Sequence, residues 1–181
     1  MLEPGTVLDI GDHTVQVLET PRETGDRYRL RIEAEPGGPG IRGSFPHRHP
    51  VLVETFTCVR GQVVTRIGRR VDTLPVGGRV EVPTGATHGF LNTGDEAALV
   101  DSEVVFVLGY RPEDDLMDFA ATYDRMRRRG PVGARTGEPP LLQLAALTHA
   151  YRRVMRPPPP AGLLVGPLAG VARLLGTPRP G

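Results

Sequence analysis

Apolar residues recur at every second position through much of the first 108 residues, and from about residue 113 they switch to a helical period. The clearest alternation puts Tyr28, Leu30 and Ile32 against Arg27, Arg29, Arg31 and Glu33. That pattern predicts a strand with one buried face and one charged face. Residues 6–10 and 13–19 read as two earlier strands joined by a turn at Gly11-Asp12, and residues 21–26 as a further turn. Six more strands follow, over residues 51–59, 62–67, 70–74, 79–82, 88–92 and 97–108, punctuated by Gly61, Gly68, Gly77, Gly78, Gly85 and Gly94. The stretch 36–40, two prolines and three glycines, is a loop. Short, evenly spaced strands with glycine turns and no helical period predict a sandwich or barrel of antiparallel strands.

Beyond residue 113, Leu116, Met117, Phe119, Ala120 and Tyr123 follow helical spacing. That helix ends at Arg125 to Arg129, cations over its last carbonyls, with Gly130 as a stop. Residues 130–140 read as a loop. A second helix is expected over 141–155, with Leu141, Leu144, Ala145, Leu147, Thr148 and Tyr151 on one side. Pro157 to Pro160 read as a stiff polyproline spacer. Residues 163–175 are apolar and interrupted by Pro167. They could cap the barrel, meet a second subunit or touch a membrane surface. Being too short to span a bilayer and lacking a basic face, they are expected to pack on the barrel or on a second subunit. The division is therefore a barrel over residues 1–110 and a helical extension over 111–181, which packs on the barrel or on the partner in a homodimer. The extension also suits a lid over the barrel mouth.

Composition changes this picture little. A net charge of +1 predicts no general attraction to nucleic acid or anionic membranes. All 22 basic residues are arginine, and the 19 prolines and 23 glycines suit a fold of many turns. The lone Cys58 rules out an intrachain disulfide and fits a reducing compartment. The first residues contain neither a basic nor an apolar leader segment, and no apolar run reaches the roughly 20 residues of a membrane span. A cytoplasmic protein without a membrane span or nucleic-acid partner is expected.

Chemistry concentrates in two clusters, one from His47 to Glu54 and one from Gly77 to Asn92, which hold three of the five histidines. His47 and His49 are two apart and share a strand face. Glu54 has the wrong parity for an unbroken strand, but Pro50 offers a break that resets the phase. His88 lies on a later strand that an antiparallel barrel can set beside the first. Three neutral imidazoles and a carboxylate suit one divalent transition metal per chain, Fe(II), Mn, Ni, Co or Zn, with open positions for water, dioxygen or a chelating substrate. Phe56 and Cys58 share parity with Glu54, and Phe90 with His88. These three are candidates to line a substrate pocket, against core packing for the phenylalanines and inert burial for Cys58. Asn92 is expected to satisfy backbone groups before Gly94. Arg48 and Arg60 are expected to be solvated, and His13 and His149 to lie on the surface. No catalytic residue is assigned beyond the metal centre.

The run His47-x-His49-x4-Glu54-x6-Gly61 resembles the first motif of the cupin superfamily. Gly77-x5-Pro83-x-Gly85-x2-His88-x3-Asn92 resembles the second at every named position, and the 15 residues between them match the short form of small bacterial single-domain cupins. One position departs: the family has Gly six residues before its first His, where this chain has Ile41 between Gly40 and Gly43. The resemblance covers roughly residues 35–108. It implies an all-β, antiparallel double-stranded β-helix (jelly-roll) barrel whose metal is held by His47, His49, Glu54 and His88. It further implies an enzyme acting on a small, mostly apolar organic molecule, with Fe(II) favoured and a dioxygenase-like oxygenase as the first reading. A redox-neutral cyclase, isomerase or decarboxylase of polyketide-like compounds is the alternative, beside a ligand-binding module without turnover.

Overall fold

The computed structural model describes residues 2–11, 13–37, 46–107, 115–129 and 139–175. Nine strands form two sheets. One is six-stranded, in the order β1 (Val7–Asp9), β2 (His13–Glu19), β3 (Arg27–Ala34), β9 (Ala98–Phe106), β4 (Leu52–Arg60) and β7 (Arg79–Val82). The other is three-stranded, with β5 (Val63–Ile67) between β6 (Arg70–Leu74) and β8 (His88–Asn92). Every pairing is antiparallel. The core lies between the sheets and joins Leu30, Ile32, Phe56 and Val104 of the larger one to Val63, Leu74 and Phe90 of the smaller. This is the expected jelly-roll of antiparallel strands.

Strand alternation decides what enters that core. In β3, Tyr28, Leu30, Ile32 and Ala34 are buried. The outward Arg31 makes two hydrogen bonds to Asp101 on β9, at 2.8 and 3.1 Å. Such surface pairs contribute at most about 1 kcal/mol each, so burial of the other face sets the strand's place. Gly61, the last residue of the first motif, turns β4 into β5 at φ 80°, and a Cβ there would stand only 3.2 Å from Ala98.

Four expectations change. Residues 21–26 contain one helical turn, α1 (Pro21–Thr24), because Pro21 opens it and the Thr20 N–H donates to Glu23 Oε2 at 2.9 Å. The helix predicted over 141–155 ends early, as α3 (Leu141–Ala150), since the chain turns at Tyr151 and makes an isolated bridge at Arg156. Pro160, at φ −83° and ψ −8°, already has helical geometry, so the proline run is not a four-residue polyproline spacer. Pro167 does not break the last helix: α4 (Ala161–Leu174) runs through it, with Pro167 on the exposed side. The first helix of the extension, α2, spans Asp115–Arg129, and Arg127 ties it to β1 through Asp9 at 2.8 Å. The glycine-rich loop from residue 38, Ile41 with its neighbours, and the loop 130–138 lie outside the described residues.

Candidate metal centre

The two motifs meet through the backbone before any side chain is considered. His47 and His88 exchange a reciprocal pair of main-chain hydrogen bonds, at 3.0 and 2.8 Å. The Gly85 N–H donates to the His49 carbonyl at 2.7 Å, and the Thr84 hydroxyl donates to the Leu52 carbonyl at 3.1 Å. The turn preceding β8 is thus stitched to the approach of β4. Residues 50 and 51 are bent, and β4 starts only at Leu52. That break resets the alternation, so Glu54 faces inward with the two histidines despite its odd spacing.

The ligand atoms of His47, His49, Glu54 and His88 lie within 4.8 Å of one another. His49, Glu54 and His88 are buried, and His47 is half-buried. His88 Nε2 is 3.0 Å from Glu54 Oε2, His49 Nε2 is 3.6 Å from the same oxygen, and His47 Nε2 is 3.0 Å from His49 Nε2. The outer nitrogens of two rings face main-chain acceptors: His49 Nδ1 the Val154 carbonyl at 2.6 Å, and His88 Nδ1 the Ala86 carbonyl at 3.0 Å. A carbonyl only accepts, so each Nδ1 carries the proton and each Nε2 of a neutral ring turns its lone pair inward.

The carboxylate is held in the same way. The Ser102 hydroxyl on β9 donates to Glu54 Oε1 at 2.6 Å, leaving Oε2 to the imidazoles. Burial pushes the Glu54 carboxyl up, but its hydrogen bond with His88 and the neighbouring imidazoles pull it further the other way, to about 2. Burial also lowers His49, whereas His88 is raised because its bond to Glu54 outweighs its own burial. An ionised carboxylate facing inward-turned nitrogen lone pairs is an arrangement that a cation completes. The four residues therefore fit a divalent metal. When bound, such an ion acts as a Lewis acid or redox centre with positions left for exogenous ligands.

Phe56 is buried, its ring 6.0 Å from that of His88 and 5.4 Å, edge-on, from that of Phe90. Cys58 is buried further along β4, its thiol pushed up by burial, with Sγ 3.6 Å from the Arg60 and Gly61 carbonyls. Asn92 satisfies the backbone as expected: it donates to the Ala34 and Glu96 carbonyls at 2.9 and 2.7 Å and accepts from the Gly94 N–H at 2.9 Å. Arg60 is exposed and pairs with Glu33, and His149 lies on α3, away from the cluster. His13 is not free on the surface, for its ring packs edge-on against Phe90 at 6.1 Å. Sequence reasoning missed Ser102 and Val154. A serine facing inward from a strand gives a weak signal, and a backbone carbonyl gives none.

The C-terminal extension closes on this centre. Arg48 and Arg156 form a two-way main-chain bridge, at 2.9 and 3.0 Å, and Val154 between the bridge and α3 is fully buried. Met155 packs against the barrel core.

Residues 30–107 match the family described as Cupin_2, cupin domain. No curated protein matches the chain. Among solved structures, a Klebsiella pneumoniae protein of unknown role with a double-stranded β-helix domain is 26% identical, over 52% of this chain and 77% of that one, with a TM-score of 0.45. A predicted oxalate decarboxylase from Thermotoga maritima is 16% identical over 52% of this chain and 81% of that one, at a TM-score of 0.48. KdgF from Halomonas sp. is 15% identical over 55% and 86%, at 0.47. With both motifs placed on the jelly-roll and their four candidate ligand residues gathered at one point, residues 30–107 form a cupin domain, and a C-terminal helical region follows it.

Proposed function

We propose that this protein is a mononuclear metal-dependent enzyme, an oxygenase of dioxygenase-like type, acting on a small and mostly apolar organic molecule. The observation that supports it is the convergence of three imidazoles and one ionised carboxylate within 4.8 Å, beside the apolar core of the barrel. Fe(II) is the ion this reading favours, because an oxygenase needs a redox-active metal and this nitrogen and carboxylate donor set suits Fe(II), as it also suits Mn, Ni, Co or Zn. Phe56, Phe90 and Cys58 are proposed as the apolar wall that excludes water and orients the substrate. Ser102 and the Val154 carbonyl hold Glu54 and His49 in position. The proposed domain division is a barrel over residues 1–110 and an extension over 111–181, in a reducing, cytoplasmic setting.

The test is elemental analysis of protein purified anaerobically without chelators, with His49→Ala in parallel, followed by oxygen uptake with aromatic and polyketide-like compounds. Near-stoichiometric iron, lost in His49→Ala, together with substrate-dependent oxygen consumption is the expected result. Stoichiometric zinc or nickel without oxygen uptake would sink the oxygenase reading in favour of a redox-neutral cyclase, isomerase or decarboxylase. Tight ligand binding without product would point to a binding module.

A further inference from the structure

Helix α4 is turned the wrong way for a water-facing helix. Its buried positions are the small Ala169 and Ala172, at 1% and 0% exposure, on the side packed with α3. Its bulky residues point outward: Leu163 is 76% exposed, Leu164 61%, Leu174 87% and Leu175, just past its end, 69%. With Pro167 and Val171 they recur at three- and four-residue steps and make one continuous uncharged face. Leu141 on α3 is exposed as well, so six of the ten exposed large hydrophobic residues among the described residues belong to this unit. The other four, Val7, Val59, Val71 and Val76, are spread over the barrel.

Charge is distributed as unevenly. All 21 acidic residues of the chain lie at or before Glu138, and five arginines with no acidic residue follow it. Arg152, Arg153, Arg156 and Arg173 are exposed, and none of them pairs with a carboxylate among the described residues. Arg152 and Arg156 donate instead to the main-chain carbonyls of His149 and Arg152. Arg152, in the turn after α3, and Arg173 of α4 both act on His149, so the basic residues gather around the helical pair although α4 has only one of its own. No helix of the described residues is long and apolar enough to cross a membrane, and 14 residues of α4 reach only about 21 Å.

We propose that the α3–α4 unit docks this protein on the surface of an anionic lipid bilayer, with α4 lying in the plane of the interface. Its leucine face enters the acyl boundary and the surrounding arginines meet the headgroup phosphates. Charge decides between this surface and a second copy of the chain. Self-association through the same face would bring two sets of unpaired arginines together with no carboxylate between them. A phosphate surface neutralises them. The anchor joins the cupin domain directly, because Val154 and Arg156, between α3 and α4, are bound to His49 and Arg48.

The experiment is flotation of the full chain with vesicles of phosphatidylcholine alone and of phosphatidylcholine with one quarter phosphatidylglycerol, at low and high salt. Binding to the mixed vesicles, weakened by salt and several-fold lower on the neutral ones, is expected. The exposed double change Leu163→Asp/Leu174→Asp should abolish it with the circular dichroism spectrum unchanged. Each of Arg152→Gln, Arg153→Gln and Arg173→Gln should weaken partitioning by about fivefold. No flotation with anionic vesicles overturns the proposal. So does flotation that persists undiminished in the double variant. If the wild type instead sediments as a dimer that the double variant makes monomeric, without vesicle binding, the face belongs to a second copy.

Discussion

Replacing Ser102 with alanine removes a single oxygen from the barrel interior. Ser102 is 1% exposed, and its hydroxyl donates to Glu54 Oε1 at 2.6 Å. Alanine keeps the strand and the packing, so the loss is almost purely that of the donor. Glu54 is itself buried, and water cannot easily replace the bond. A buried acceptor left unsatisfied costs about 1–3 kcal/mol, toward the upper end when it is charged. We therefore expect destabilisation of about 2 kcal/mol, which for a chain of this size lowers Tm by roughly 4–8 °C. Freed at Oε1, the carboxylate also loses its fixed orientation toward the imidazoles. Loss of a partner behind a metal ligand typically weakens binding by about 10–100-fold. The assays are calorimetric melting of the metal-free protein and competition with a chelator of known affinity. A Ser102→Ala protein that melts within about 1 °C of wild type and binds metal within about twofold would refute the reasoning.

The main-chain bridge to the C-terminal segment is tested by Arg156→Pro, which removes the N–H donated to the Arg48 carbonyl at 3.0 Å. Metal affinity should drop by about tenfold, whereas Arg156→Ala, which keeps the N–H, should bind as wild type in the same chelator competition. Glu54, held at about 2 against an ordinary 4.5, contributes stability that is in force above pH 4.5 and disappears as the pH falls toward 2. In urea titrations of the metal-free protein this loss should amount to about 3 kcal/mol, and it should be missing from the acid profile of Glu54→Gln. At Gly61, φ is 80° and an added Cβ would stand 3.2 Å from Ala98 Cα. Gly61→Ala should therefore lower unfolding free energy by about 1–3 kcal/mol, read from the urea midpoint at constant slope.

Much of the fold was legible because its signals are local. Alternation in β3 marked which side chains are buried, and the turn glycines marked where strands end, so β2, β6, β7 and β8 have the expected boundaries. The four ligand residues were legible for the same reason, since two short motifs hold them all, and Pro50 explained the parity of Glu54. Where local signals compete, the reading was coarser. Apolar residues continue from α3 through Val154 and Met155, and only the turn at Tyr151 shows that the helix has ended. Pro167 weakens a helix locally, yet packing with α3 carries α4 through it.

The sequence by itself thus determined the antiparallel sandwich or barrel of short strands and the four residues that meet at its candidate metal centre. Both depend on side-chain chemistry repeated at short spacing. Only the tertiary structure decided what holds those ligands and which way the last helix faces. Ser102 reaches Glu54 across 48 positions of chain, and the Val154 carbonyl reaches His49 across 105. A backbone carbonyl is common to every residue type and leaves no trace in the sequence. The orientation of α4 was equally hidden, because a helix apolar all round has no polar face to mark its outside. Close packing with α3 selected the alanine side, and that choice left the leucines outward beside arginines supplied by neighbouring segments.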